Sequence, residues 1–151
     1  MKKGIYMGGF PASMSLEERF ILAKEAGFDA VEVRGEEELV SSDERLRAVA
    51  ELAKRTVPVS SMMAAAGWRP SLTSPDPDER VKAIDLFKLT IRACRTLGGD
   101  TVLVVPGVVN DQVSYEAAWD RSQRGLRALT PVAEEHGVYL GVENVWNKFL
   151  L

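Results

Sequence analysis

The sequence predicts an α/β fold of the (β/α)8 barrel type, truncated after its fifth strand, with about five parallel strands and four helices. Three observations predict it. Short apolar runs alternate with longer segments of 3.6-residue periodicity along the whole chain. Most of the short runs are nearly continuous in apolar, β-branched residues, as in strands buried on both faces. The pace is also right: a closed barrel takes roughly 250 residues, and here four β-α steps and a fifth strand fill 151.

The predicted strands are Gly4–Phe10, Ala30–Arg34, Val57–Met63, Thr101–Val105 and Val138–Glu143. The first helix opens at Ser15-Leu-Glu-Glu18, the spacing of a capping box. It places Leu16, Phe20 and Ala23 on one face and stops at Gly27. Ser41-Ser-Asp-Glu44 repeats the box, with Leu46, Val49, Ala50 and Ala53 as the buried stripe. The third helix opens near Asp76-Pro77, since proline suits a first turn. Its stripe is Ile84, Phe87, Ile91, Cys94 and Leu97, closed by Gly98-Gly99. The fourth runs from about Ser114 to His136 on Trp119, Leu126, Leu129 and Ala133. Pro131 removes an amide donor inside it, so a kink or break is expected there. The acidic run Glu36-Glu-Glu38 reads as a solvated loop.

Composition narrows the function. Hydrophobic residues at 46% support one domain over residues 1–151 with its own core. A net charge of −3, with Lys and Arg scattered over helical faces, argues against a duplex-binding surface. No apolar stretch reads as a signal peptide or a membrane span. The single cysteine, Cys94, sits on a helical stripe, which suits packing and a reducing, cytoplasmic setting. Gly8-Gly9 is followed by Phe10-Pro11 rather than by a Gly-x-x-Gly turn, so the dinucleotide fingerprint is absent.

Candidate site residues lie at strand ends. Glu143 closes the last predicted strand, where a parallel barrel places its chemistry. Glu32 also ends a strand, where it either lines the mouth or pairs with Arg34 or a lysine. Gly107, after Pro106, either lets backbone approach a ligand or makes a plain turn. Met62, Met63 and Trp68 form either an apolar rim or core. His136, in the last turn of a helix, reads as structural.

Several segments, taken in order, resemble one family. They are Lys3-Gly-Ile-Tyr6, Ala26-Gly-Phe-Asp-Ala-Val-Glu-Val33 and Leu72-Thr-Ser-Pro-Asp-Pro-Asp-Glu-Arg80. Leu97-Gly-Gly-Asp-Thr-Val-Leu-Val-Val-Pro-Gly107 and Glu134-Glu-His-Gly-Val138 through Glu143-Asn-Val-Trp-Asn147 complete the set. The chain resembles the xylose isomerase-like barrels, in particular the sugar phosphate isomerases/epimerases and ketose 3-epimerases, over their N-terminal half. That resemblance implies a divalent ion (Mn, Mg, Co or Zn) that polarises a ketose carbonyl while carboxylates move a proton beside it. It implies four ligands, Glu, Asp, His and Glu; Glu143 matches the first, as catalytic and metal residue, and the others are expected beyond Leu151. Tyr6 matches a substrate contact, and Trp146 and Asn147 would wall a sugar pocket. The partner implied is a small sugar, and this chain alone is expected to be an inactive fragment. Its open first and fifth edges would favour a homo-oligomer. An inositol-type dehydratase of the same fold and a non-catalytic half-barrel are the alternatives. An apurinic endonuclease would need histidines in this half, and none precedes His136.

Overall fold

The computed structural model describes residues 1–145 and Phe149. Trp146 and Asn147 lie outside the described residues. Five strands form one parallel sheet in the order of the chain: β1 (Gly4–Tyr6), β2 (Ala30–Gly35), β3 (Val59–Ala64), β4 (Thr101–Val104) and β5 (Tyr139–Val142). Five helices connect them: α1 (Leu16–Glu25), α2 (Glu37–Val40), α3 (Asp43–Arg55), α4 (Pro77–Thr96) and α5 (Tyr115–His136).

Local chemistry accounts for the helix starts. Ser15 accepts from the Glu18 amide while Glu18 accepts from the Ser15 amide at 2.7 Å, a complete capping box. In α3 the cap is Ser42, one residue later than the predicted box begins. Asp76 caps α4 ahead of Pro77, and Ser114 caps α5.

One continuous core joins Phe20, Val49, Phe87, Ile91 and Leu129 of the helices to Val31, Val33, Met62, Val102 and Val104 of the strands. Cross-strand register aligns Val33 with Met62 and Met62 with Val102, so these strand residues share one face. All the helices that enter this cluster therefore pack on that side of the sheet. The other face carries Tyr6, Glu32, Arg34, Ser61, Met63 and Leu103, all partly or fully exposed. Burial on both faces, expected from the apolar runs, is thus not what this chain shows. The second face corresponds to a barrel interior, and nothing among the described residues covers it.

Keeping one face inward requires a correction in β3. Val31 pairs with Val59, but Glu32 pairs with Ser61, leaving Ser60 as a bulge. The extra residue shifts the phase of the strand, so Val59, Met62 and Ala64 all reach the core.

Other expectations are corrected too. Glu36-Glu-Glu38 is not all loop, because Glu37–Val40 forms the short helix α2 with Val40 buried. The first strand ends at Tyr6, where Met7–Gly9 makes a 3-10 turn. Pro131 does not break α5: it lies on the exposed side, where water can satisfy the freed carbonyl. Trp119 is 46% exposed rather than part of the buried stripe. It stacks on Tyr115 with ring centroids 6.3 Å apart, and buried Phe149 lies against both rings. Among the described residues no helix is long and apolar enough to cross a membrane.

Phe87 is fully buried where α4 meets β3 and β4. Phe87→Ala is expected to lower unfolding free energy by about 3–5 kcal/mol, read by denaturant titration. A loss below about 1 kcal/mol would contradict the core as described.

Candidate functional site

Strand parity brings Tyr6, Glu32 and Glu143 of the sequence-derived candidates onto the open face. Cross-strand pairing runs Tyr6 to Glu32 to Ser61 to Thr101 to Tyr139, and one row further Arg34 to Met63 to Leu103 to Gly141. Glu143 continues the parity of Tyr139 and Gly141. Its amide donates to the Val104 carbonyl at 3.0 Å, extending the ladder one residue past β5. Tyr6, Glu32 and Glu143 therefore share a face. Tyr6 ends β1 and Glu143 follows β5, whereas Glu32 lies within β2, third of its six residues, and not at the strand end expected for it.

Each of these groups has a definite environment. Ser61 Oγ donates to Glu32 Oε2 at 2.8 Å, and Arg34 pairs with Glu36 at 2.8 Å. Glu32 thus bonds a neighbouring strand and not Arg34, the salt-bridge partner considered for it. Burial raises the Tyr6 phenol above its ordinary value, while the Arg34 charge and hydrogen bond pull it part of the way back. The Tyr6 ring also explains Gly8: a Cβ there would fall 2.3 Å from a ring carbon. Glu143 is exposed, and its carboxylate has no hydrogen bond or ion pair among the described residues.

Not every candidate joins this group. Gly107 is buried, and a Cβ on it would lie 2.2 Å from the Thr73 methyl group. Its close approach is to the loop after β3, where Thr73 Oγ1 also donates to the Val108 carbonyl at 3.0 Å. Met62 is core, Met63 faces the open side, and Trp68 is 41% exposed. His136 is structural as expected, with Nδ1 3.0 Å from the Val132 carbonyl. Cys94 is buried, and burial pushes its thiol up to about 11, which suits a packing residue.

Two clefts open beside the strand ends. One, of about 640 Å³, has Tyr6, Phe10, Arg19, Arg34, Glu36 and Arg45 among its lining residues. The other, of about 670 Å³, lies between the loops after β3 and β4, with Trp68, Ser71, Thr73, Glu79, Asn110 and Gln112 in its wall. Glu143 lines neither. Among the described residues no three His, Cys, Asp or Glu side chains converge to hold a metal ion. Glu143 is a hard oxygen donor of the right kind for one, but a single carboxylate is not a metal centre, and no step is assigned through an ion.

Ser61 and Arg34 are the site residues that a reading of apolar runs passes over. Two adjacent serines inside an otherwise apolar strand are the signal for Ser61, and two-residue alternation from Glu32 is the signal for Arg34.

The chain belongs to the xylose isomerase-like TIM barrel family, whose pattern matches residues 20–151. It is 30% identical to a putative L-ribulose-5-phosphate 3-epimerase of Escherichia coli K12, covering 97% of this chain and 54% of that protein. It is 29% identical to an L-ribulose-5-phosphate 3-epimerase of Salmonella heidelberg, covering 93% and 52%. Among solved structures, a D-psicose 3-epimerase crystallised in the presence of D-fructose superposes with a TM-score of 0.80 at 22% identity, over 99% of this chain and 54% of its own. The IOLI protein, solved with a bound zinc atom, gives 0.77 at 23%, over 94% and 51%. The structural likeness establishes the fold. The chain spans about half the length of the curated relatives it matches.

Arg34 and burial act on Tyr6 in opposite directions, which a titration can separate. Arg34→Gln removes a cation that favours the phenolate, so the Tyr6 pKa should rise further above the ordinary value of about 10. Ultraviolet titration reads this against the two exposed tyrosines, Tyr115 and Tyr139. An unchanged or lower Tyr6 value would contradict the arrangement.

Proposed function

We propose that residues 1–151 form a single domain, the N-terminal portion of a barrel that epimerises or isomerises a sugar or sugar phosphate beside its ketose carbonyl. The observation that carries this reading is the unpartnered Glu143 carboxylate at the tip of β5, on the same open face as Tyr6, Glu32 and Arg34. The names of the relatives, 3-epimerases of phosphorylated or free ketoses, support the substrate class.

In this reading Glu143 is both a proton-transfer group and one ligand of a divalent ion, whose other ligands lie outside the described residues. Tyr6, Glu32 and the Trp146-Asn147 segment contact the sugar, and Gly107 serves the pocket indirectly by fitting the loop that carries Thr73. Arg34 and Ser61 hold Tyr6 and Glu32 in place. Taken alone, the 151-residue chain is inactive, since one ligand does not retain a metal tightly. Its β1 and β5 edges carry unpaired backbone groups, and self-association through them is part of the proposal. The proposal includes a reducing cytoplasmic setting, which the buried lone thiol supports.

The test uses a polypeptide that spans the relatives' full length, assayed for inversion at C3 of a ketose and of its phosphate ester with Mn added. Glu143→Gln keeps size and removes charge, so turnover should fall roughly 10²-fold or more, with loss of bound metal. Full activity and full metal content in that variant would overturn the assignment of Glu143.

A further inference from the structure

On the outer layer, away from the open face, α4 and α5 enclose a cleft of about 250 Å³. Its lining is Leu72, Arg80, Ile84, Arg121, Arg124 and Gly125, three arginines and no acidic residue. Arg80 Nη1 donates to the carbonyls of Ser74 and Pro75 at 2.7 and 3.0 Å, and Arg121 Nη1 donates to the Thr73 carbonyl at 3.0 Å. No carboxylate pairs with either guanidinium among the described residues, so each keeps further N–H donors unused. Arg124 pairs with Asp120 one helical turn away, an exposed bridge that holds it only weakly.

Three guanidiniums around one small cleft repel each other, and arginine cannot relieve that repulsion by losing a proton. Anchoring the 73–75 loop uses one nitrogen each of Arg80 and Arg121. It leaves the cleft and the spare donors unused, and Arg124 held at the cleft only by its exposed bridge to Asp120. A tetrahedral oxyanion answers all three, because the guanidinium fork matches phosphate oxygens in a two-point contact.

We propose that the α4–α5 groove binds a phosphate group, either inorganic phosphate or the phosphate of a small monoester. The site is separate from the sheet face that carries Tyr6 and Glu143, so it stands or falls independently of the epimerase reading. It has a structural consequence as well. Arg80 and Arg121 grip the same loop whose Thr73 and Ser74 line the polar cleft beside Trp68. A bound anion that orders the two arginines also orders that loop, which makes the groove a regulatory site for the neighbouring cleft.

Calorimetric titration of the 151-residue chain with inorganic phosphate, at ionic strength matched with chloride, tests the proposal. Saturable one-site binding is expected, weakened roughly tenfold or more in Arg124→Gln, the scale of one lost charge-assisted hydrogen bond. Arg121→Gln should weaken it further. Because that change also frees the loop, Ile84→Glu gives a second route, placing negative charge at the partly exposed wall. Arg92→Gln, an exposed α4 position outside the cleft, should leave binding unchanged. Phosphate should also slow amide exchange at Thr73 and Ser74. A parallel titration with glycerol 3-phosphate distinguishes the sources: tighter binding than phosphate assigns a monoester, weaker binding assigns the free ion. Absence of saturation with both ligands, or equal affinity in wild type, Arg124→Gln and Ile84→Glu, would overturn the proposal.

Discussion

The constraint on which the rest of this structure depends is that every strand presents the same face to the helices. Val31, Val33, Met62, Val102 and Val104 meet Phe20, Phe87, Ile91 and Leu129 in one core. The strand residues between them must then point the other way. The bulge at Ser60 shows how strongly the constraint acts. Without it, the run Val59-Ser-Ser-Met62 would turn Met62 outward and bring a serine into the core. Losing one ladder position is the smaller cost, because burying a methionine side chain is worth roughly 1.5–3 kcal/mol.

The candidate site is the other side of that constraint. Once Val31 and Val33 are inward, Glu32 and Arg34 are outward, and the bulge sets Ser61 opposite Glu32. Tyr6 aligns with the same row, and Glu143 follows the parity of β5 one residue beyond its end. A row of donors and acceptors thus forms on the face of the sheet opposite its apolar core.

Much of this was legible in the residues. The β/α order, the capping box at Ser15, the caps at Asp76 and Ser114, and the stripes of α3 and α4 follow from local patterns that act within a few residues. Other features depend on distant partners. Met63 and Leu103 are apolar, so their strands read as buried on both faces, yet the inner face has no covering layer among the described residues. Trp119 keeps helical phase with Leu126 and Leu129, but its ring stacks on Tyr115 and lies against Phe149 rather than entering the main core. Gly107 reads from sequence as either a close approach to a ligand or a plain turn, and the neighbour that requires a glycine there is Thr73, 34 positions earlier in the chain. The role proposed for Glu143 rests on its strand-end position and the family resemblance, because no group among the described residues bonds its carboxylate.

One sheet face is core and the other is open, and neighbouring positions on β4 distinguish the two. Cys94 is the single cysteine and is buried, so a Cys94→Ala background is free of native thiols. In that background, Leu103→Cys on the partly exposed open face should react with a thiol reagent in the native chain, without unfolding. Val102→Cys, on the core face, should react only as fast as the protein unfolds. Equal protection at both positions would mean that a second layer covers the inner face, and equal reactivity would mean that the helical core is not formed as described.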